Sequence, residues 1–269
     1  MAEAKDTGIE QTAQVAADRS PVAVRRIVRD ALVLCYGNPG RFIGAAAIVG
    51  APSFIVSLLN MARDPNAPMS PQQGLIGLIS LALVITAFVL GIYFAGALPL
   101  MTASTLDGRP MGWTDAFGWI RERGLFWGVA GVLLLDGLAV LGGLILLIIP
   151  GLIIGTILML VIPARVLGDH PGRKALSVSS RVVKPVLMHG GFLFAAVLLL
   201  PVIVVTWTIA GVGTARYGIV STAPARVIPL AVATYAVTVF WYPVAGVALA
   251  LLYIERSGGL SGLRHDLFI

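Results

Sequence analysis

The sequence predicts an all-α polytopic membrane protein, with six transmembrane helices in three hairpins, each preceded by a cytoplasmic amphipathic helix. Three observations predict it. Six apolar stretches of roughly 17–28 residues alternate with short polar segments, and crossing ~30 Å of hydrocarbon takes about 20 residues. Hydrophobic residues make up 58% of the chain and charged residues 12%, whereas soluble domains carry about 25% charged residues. The 19 Lys and Arg fall in alternate gaps on one side, with Arg63, Arg216 and Arg226 the exceptions. The positive-inside rule assigns that side, and both termini, to the cytoplasm. The compartment expected is the bacterial inner membrane.

Residues 1–19 are polar and mixed in charge. Lacking the apolar core of a signal peptide, they read as an uncleaved, disordered cytoplasmic tail. The membrane domain is expected over 20–256 and a second cytoplasmic tail over 257–269. Ser20-Pro21 suits a helix start, with Ser at the N-cap and Pro at the first helical position. From there Val24, Ile27, Val28, Ala31, Leu32 and Cys35 recur at helical spacing, with Arg25, Arg26 and Arg29 on the other side. That pattern predicts a helix lying at the headgroup boundary. Gly37-Asn38-Pro39-Gly40 should stop it. The first hairpin follows, with spans Phe42–Met61 and Leu75–Met101.

The design returns twice. Trp113, Ala116, Phe117 and Ile120 form a short stripe before Arg121-Glu122-Arg123, leading into spans Leu125–Ile148 and Gly151–Leu167. Later, Ala175, Val178, Ser179, Val182 and Val186 line one face, with Arg173, Lys174, Arg181 and Lys184 opposite. Spans Phe192–Val212 and Val227–Ile254 complete the third unit. A tetrapeptide echo marks the three: Arg-Asp-Ala-Leu at 29–32, Thr-Asp-Ala-Phe at 114–117 and Arg-Lys-Ala-Leu at 173–176. The cationic faces Arg25, Arg26, Arg29, Arg173, Lys174, Arg181 and Lys184 are the expected contacts for anionic lipid headgroups. Each cation adds about 1 kcal/mol of attraction to an acidic surface. The net charge of +6 is therefore lipid-directed; no nucleic-acid motif accompanies it.

Within the membrane, close helix packing depends on small residues. Gly40-xxx-Gly44, Gly124-xxx-Gly128 and Gly151-xxx-Gly155 are the candidates for it. Pro52, Pro201 and Pro243 should kink their spans and free carbonyls that neighbours must satisfy. Thr206, Trp207, Thr208, Thr234, Tyr235 and Thr238 add mid-depth polarity, the threonines bonding to their own helix backbone. Asp136 is an acid deep in a span, costing about 2.5–3.5 kcal/mol unless paired or hydrated. With a turn at Ile149-Pro150, Arg165 reaches nearly its depth, ~3 Å apart at 1.5 Å per residue. Three roles stay open for Asp136: an ion pair with Arg165, a water-facing vestibule, and a proton or ion relay.

Chemistry-bearing constellations are not evident. A single Cys35 excludes an internal disulfide and reads as a packed thiol. His170, His189 and His265 occupy separate segments. No zinc-protease, phosphate-loop or serine-nucleophile motif occurs, and no catalytic residue, cofactor or metal is expected.

The run Leu146-Leu147-Ile148-Ile149-Pro150-Gly151-Leu152-Ile153, then Val161-Ile162-Pro163, then Ala175-Leu176…Ser179, resembles a bacterial pattern. It is similar to the membrane domain of glycerophosphoryl diester phosphodiesterases and to stand-alone six-helix inner-membrane proteins of that group. The likeness covers roughly residues 20–268. Asp169 stands near the group's acidic position, displaced relative to Gly168, and Leu251-Leu252-Tyr253 matches its closing run, whereas Ile254-Glu255-Arg256-Ser257-Gly258 departs from it. A phosphodiesterase barrel needs some 200–250 further residues, so the resemblance implies no such activity here. The function expected is a non-enzymatic accessory, assembly or envelope-maintenance protein that contacts anionic lipid, a membrane-protein partner or further copies of itself. The alternative is a transporter or channel subunit with Asp136 in a polar pathway.

Overall fold

The structure, a computed structural model, describes residues 24–62, 70–146, 158–168, 170, 172–186, 224–260 and 263. Ser20-Pro21, the span Phe192–Val212, Pro201 and the Gly151-xxx-Gly155 pair lie outside the described residues. So do the side chains of Asp136, Arg173 and Lys184.

Every regular element among the described residues is a helix. α1 (Val24–Gly37) gives way at Asn38 to α2 (Pro39–Ala62). The breaker at 37–40 thus produces a one-residue hinge rather than a loop, because Pro39 restarts a helix at its first turn. The Asn38 side-chain amide donates to the Leu34 carbonyl at 3.3 Å and closes the end of α1. Ser70 caps α3 (Pro71–Leu106), accepting from the Gln73 N–H at 3.3 Å. α4 (Trp113–Glu122) follows, with the Asp115 carboxylate accepting from the Gly112 N–H at 3.3 Å in its first turn. Gly124, at φ +61°, turns the chain directly into α5 (Leu125–Leu146). α6 (Val161–Val166), α7 (Gly172–Val186) and α8 (Pro224–Arg256) complete the set among the described residues.

Three of these helices are long and apolar enough to cross a membrane: Pro39–Leu59, Pro71–Leu106 and Ala231–Arg256. They contain the expected spans Phe42–Met61, Leu75–Met101 and Val227–Ile254 almost entirely. α5 carries a shorter described apolar run, Leu125–Leu135, at the start of the expected span Leu125–Ile148. Of the expected span Gly151–Leu167, the described part is the segment through α6.

The 36 residues of α3 rise about 54 Å, well beyond the ~30 Å of a hydrocarbon core. The extra length is not solvent-bridging. It carries Ile92–Ser104 into the protein core, where Phe94, Leu98 and Met101 are buried. Among the described residues, most of the deep packing gathers at that end of the bundle. Phe42 and Ala45 enter from the start of α2, Leu125 and Val129 from the start of α5, and Val244, Val247 and Leu252 from the end of α8. Leu160, Val161, Ala164 and Leu167, in and flanking α6, join them. Tyr93 ties three elements together, with ring centroids 5.4 Å from Phe117 and 4.9 Å from Phe126. Toward the opposite end, Leu75, Leu78, Leu81, Ile85 and Phe88 of α3 are exposed, as side chains bathed in lipid would be.

The amphipathic helices dock by the faces their echo marks. Ala31, Ala116 and Ala175, the shared alanines, are each 0% exposed, as are the residues one turn on: Cys35, Ile120 and Ser179. The next residue of the echo, Leu32, Phe117 or Leu176, packs partly buried against the same core. Alanine suits that seat because it lets a helix backbone sit close to its neighbours. The three echoes thus share one packing register, though the α7 stripe is Ala175, Ser179 and Val183, with Val178 and Val182 at its margin.

α1 docks on the protein core along the face that its periodicity marks. It runs antiparallel to the end of α8, with Arg26 paired to Glu255 and Tyr36 meeting Phe240 at 6.5 Å between ring centroids. Its apolar face makes that contact: Ile27, Ala31 and Cys35 are buried in the protein core.

Candidate functional site

The feature best suited to function is a cationic rim around the packed end. With their small-residue faces buried, α1, α4 and α7 turn their basic faces outward. Arg25, Arg26 and Arg29 of α1, Arg121 and Arg123 at the end of α4, and Lys174 and Arg181 of α7 are exposed. The expected contacts Arg173 and Lys184 share α7 with them. Arg26 is held by Glu255, the Arg29 guanidinium reaches its neighbour Asp30 at 3.2 Å, and Arg123 lies 5.1 Å over the Trp119 ring.

Below the cations sit aromatic and aliphatic side chains of the kind that settle at a membrane boundary. Trp127, in the first turn of α5, is 79% exposed. On α1 the outward line at i, i+4, i+8 and i+11 reads Arg25, Arg29, Val33, Tyr36, the last two being exposed hydrophobics. Charge gives way to apolar surface along roughly 16 Å of one helix. That gradient fits a helix descending from phosphates toward acyl chains.

A second polar group lies inside the rim. Arg165, in the last turn of α6, is partly buried and donates to the His170 carbonyl at 3.0 Å. Its guanidinium rests against α5 at Gly128, where a Cβ would stand 2.9 Å from Nε and 3.2 Å from Nη2. Among the described residues no carboxylate pairs with it. Asp136 lies eight residues beyond Gly128 on α5, about 12 Å further along the helix axis, and its side chain is outside the described residues. Tyr253 approaches the same turn, its hydroxyl 2.5 Å from where a Cβ at Gly168 would be. The sequence marks Tyr253 only as the end of the Leu251-Leu252-Tyr253 run; its approach to Gly168, far away in the chain, leaves no local trace.

The glycine pairs are resolved differently from their expected packing role. Gly40 has nothing within 4 Å of a notional Cβ, and Gly44 meets only the Pro39 carbonyl of its own helix at 3.8 Å. Gly124 serves a left-handed turn and Gly128 makes room for Arg165. Close approach occurs at single glycines instead: Gly96 against Ile120 and Val129, Gly246 against Leu98, and Gly50 against the Tyr235 ring. Helix pairs meet here at one-residue gaps, so a four-residue spacing is not required.

Cys35 is buried and unbonded, and burial pushes its thiol up to about 12. Among the described residues no group of three or more His, Cys, Asp or Glu could hold a metal. No family model, curated protein or solved structure matches the chain.

Proposed function

We propose that the protein is a non-enzymatic, multi-pass accessory protein of the bacterial inner membrane, with both termini cytoplasmic and six crossings in three hairpins. Its cationic rim gathers anionic lipid headgroups around the cytoplasmic end of the bundle, in support of assembly or envelope maintenance. The resemblance to stand-alone relatives of the phosphodiesterase membrane domain agrees with this reading.

One observation carries it: three amphipathic helices bring their small-residue faces to one core and leave their cations outward at the same end. A basic surface helix needs its apolar face to enter lipid by itself. Here that face is already occupied, so the outward cations act as a fixed rim. At roughly 1 kcal/mol per cation near an acidic surface, the rim is sufficient to enrich anionic lipid locally.

Hydrogen exchange on the full-length protein in nanodiscs tests this. With 30% phosphatidylglycerol, amides of 24–37 and 172–186 should exchange more slowly than in pure phosphatidylcholine, and 0.5 M NaCl should abolish the difference. Equal protection in both lipids removes the proposal.

A further inference from the structure

We propose that the groove between α1 and the end of α8 seats one zwitterionic phospholipid headgroup, its primary ammonium held by Asp30 and Glu255 and its phosphate by Arg26. The site uses carboxylates that the rim reading leaves idle. It rests on that reading only in placing this end of the bundle at headgroup level.

The groove has a volume of about 370 Å³ and is lined by Arg26, Ile27, Asp30, Leu251, Ile254 and Glu255. Sites for small ligands typically enclose ~300–1,000 Å³. Arg26 and Asp30 stand one turn apart on the same face of α1, and Glu255 comes from the last turn of α8. Each of the three side chains is roughly half exposed. Across the whole chain 19 Lys and Arg outnumber 13 Asp and Glu, yet the groove holds two carboxylates and one guanidinium. Its charge is therefore the reverse of the rim around it, and it favours a ligand that carries a cation.

The charged groups are only partly engaged with one another. Arg26 bonds one oxygen of Glu255, and the Arg29 guanidinium bonds one oxygen of Asp30 through Nε and Nη2. Among the described residues the second oxygen of each carboxylate has no partner, and Arg26 gives one hydrogen bond of the five that a guanidinium can donate. A primary ammonium has three N–H donors and can bond both carboxylates; a trimethylated one has none. The remaining N–H groups of Arg26 suit a phosphate oxygen.

The walls favour a lipid over a soluble amine. Ile27 and Ile254 form a nearly buried floor, Leu251 lies beside them, and exposed Val33, three residues beyond Asp30, continues the apolar surface toward the Tyr36–Phe240 contact. Acyl chains below a seated headgroup would follow that path.

The test uses full-length protein delipidated in an uncharged detergent. Native mass spectrometry compares dioleoylphosphatidylethanolamine with dioleoylphosphatidylcholine, which share phosphate and chains and differ in three N-methyl groups. Wild type should bind the ethanolamine lipid about tenfold more tightly. D30N and E255Q should each reduce that preference about threefold, as loss of a half-exposed ion pair would, and D30N/E255Q should abolish it. R26Q should weaken both lipids alike, because both carry the phosphate. Should E255Q unfold early for want of its contact with Arg26, D30N keeps the comparison, since its carboxylate meets only the neighbouring Arg29 among the described residues. Equal binding of the two lipids by wild type, or an undiminished preference in D30N or D30N/E255Q, overturns the proposal. Glycerophosphoethanolamine that binds as tightly as the lipid keeps the headgroup chemistry and overturns the lipid source. The rim reading fails separately. R25Q/K174Q/R181Q should lose the salt-sensitive protection assigned to the rim and keep the ethanolamine preference, and D30N/E255Q should do the reverse.

Discussion

Tyr235 reaches from α8 to α2 and donates its hydroxyl proton to the Ala47 carbonyl at 2.6 Å. Pro52 lies five residues on, inside α2. Having no N–H, it leaves the Ile48 carbonyl without its helical donor and disturbs the backbone around it. A polar group from a neighbouring helix thus arrives where the ladder is weakest. The ring stacks on Phe54 at 4.7 Å between centroids, and a Cβ at Gly50 would stand 3.1 Å from it. Removing only the hydroxyl, as in Y235F, should cost about 0.6–1.7 kcal/mol, the range for interhelical hydrogen bonds in membranes. G50V should cost more, because it displaces the ring as well. Thermal unfolding in detergent reads both, and an unchanged Y235F midpoint removes the bond from the account.

The glycines give a sharper contrast. G246V and G96V each place side-chain atoms on buried neighbours, Leu98 in one case and Ile120 with Val129 in the other. Overpacking of this kind costs about 1–3 kcal/mol. G40A and G44A meet open space or ordinary contact and should be neutral, or stabilising by up to about 1 kcal/mol, since Gly is a poor helix former. The reverse ranking would return the Gly40-xxx-Gly44 pair to its expected packing role.

What was legible in the sequence follows from which signals are local. Helix type and the spans in α2, α3 and α8 are written in runs of apolar residues. The docking faces of α1, α4 and α7 are written in helical spacing plus the shared alanine. Contacts between distant segments leave no such trace. Nothing near Tyr235 names Ala47, and nothing near Gly128 says that it accommodates Arg165 rather than another helix. The direction of α1 was also hidden, because periodicity shows which face is apolar but not what covers it. Asp136 stood out only by its isolation in an apolar run.

Arg26 and Glu255 close the contact between the first and last described helices. Their side chains are 53% and 43% exposed, so water and salt screen the pair, and its coupling should fall within about 0–1 kcal/mol. A double-mutant cycle of R26Q and E255Q should return that value at low salt and nearly zero at 0.5 M NaCl. A coupling above about 2 kcal/mol would mean that the pair is shielded in the membrane-embedded protein.

Cys35 offers a pH test. Its folded thiol lies near 12, raised by burial from the usual 9.0. Below pH 9 the thiol is neutral in both folded and unfolded chains, so no stability is lost. Above pH 9 the unfolded thiol ionises while the folded one does not. Stability should therefore decline with a slope of up to about 1.4 kcal/mol per pH unit until roughly pH 12. C35A should flatten this part of the profile. In the folded protein the thiol should resist a maleimide at pH 8 and react after denaturation, since the thiolate is the nucleophile. Fast labelling of the native protein would place Cys35 outside the core.

The three alanines test whether the units are equivalent. Ala31, Ala116 and Ala175 occupy the same register of the echo and are each fully buried. Leucine there adds three carbons where close approach leaves no room, so A31L, A116L and A175L should each lose about 1–3 kcal/mol. Val33→Leu and Thr114→Leu, at exposed positions of α1 and α4, serve as controls and should shift stability by less than about 0.5 kcal/mol. Equal losses in the three variants would mean that each helix is seated the same way despite the different residues at i+4, Cys35, Ile120 and Ser179. A tolerated A175L would detach α7 from the pattern, and with it the contribution of Lys174 and Arg181 to a rim held in place by the core.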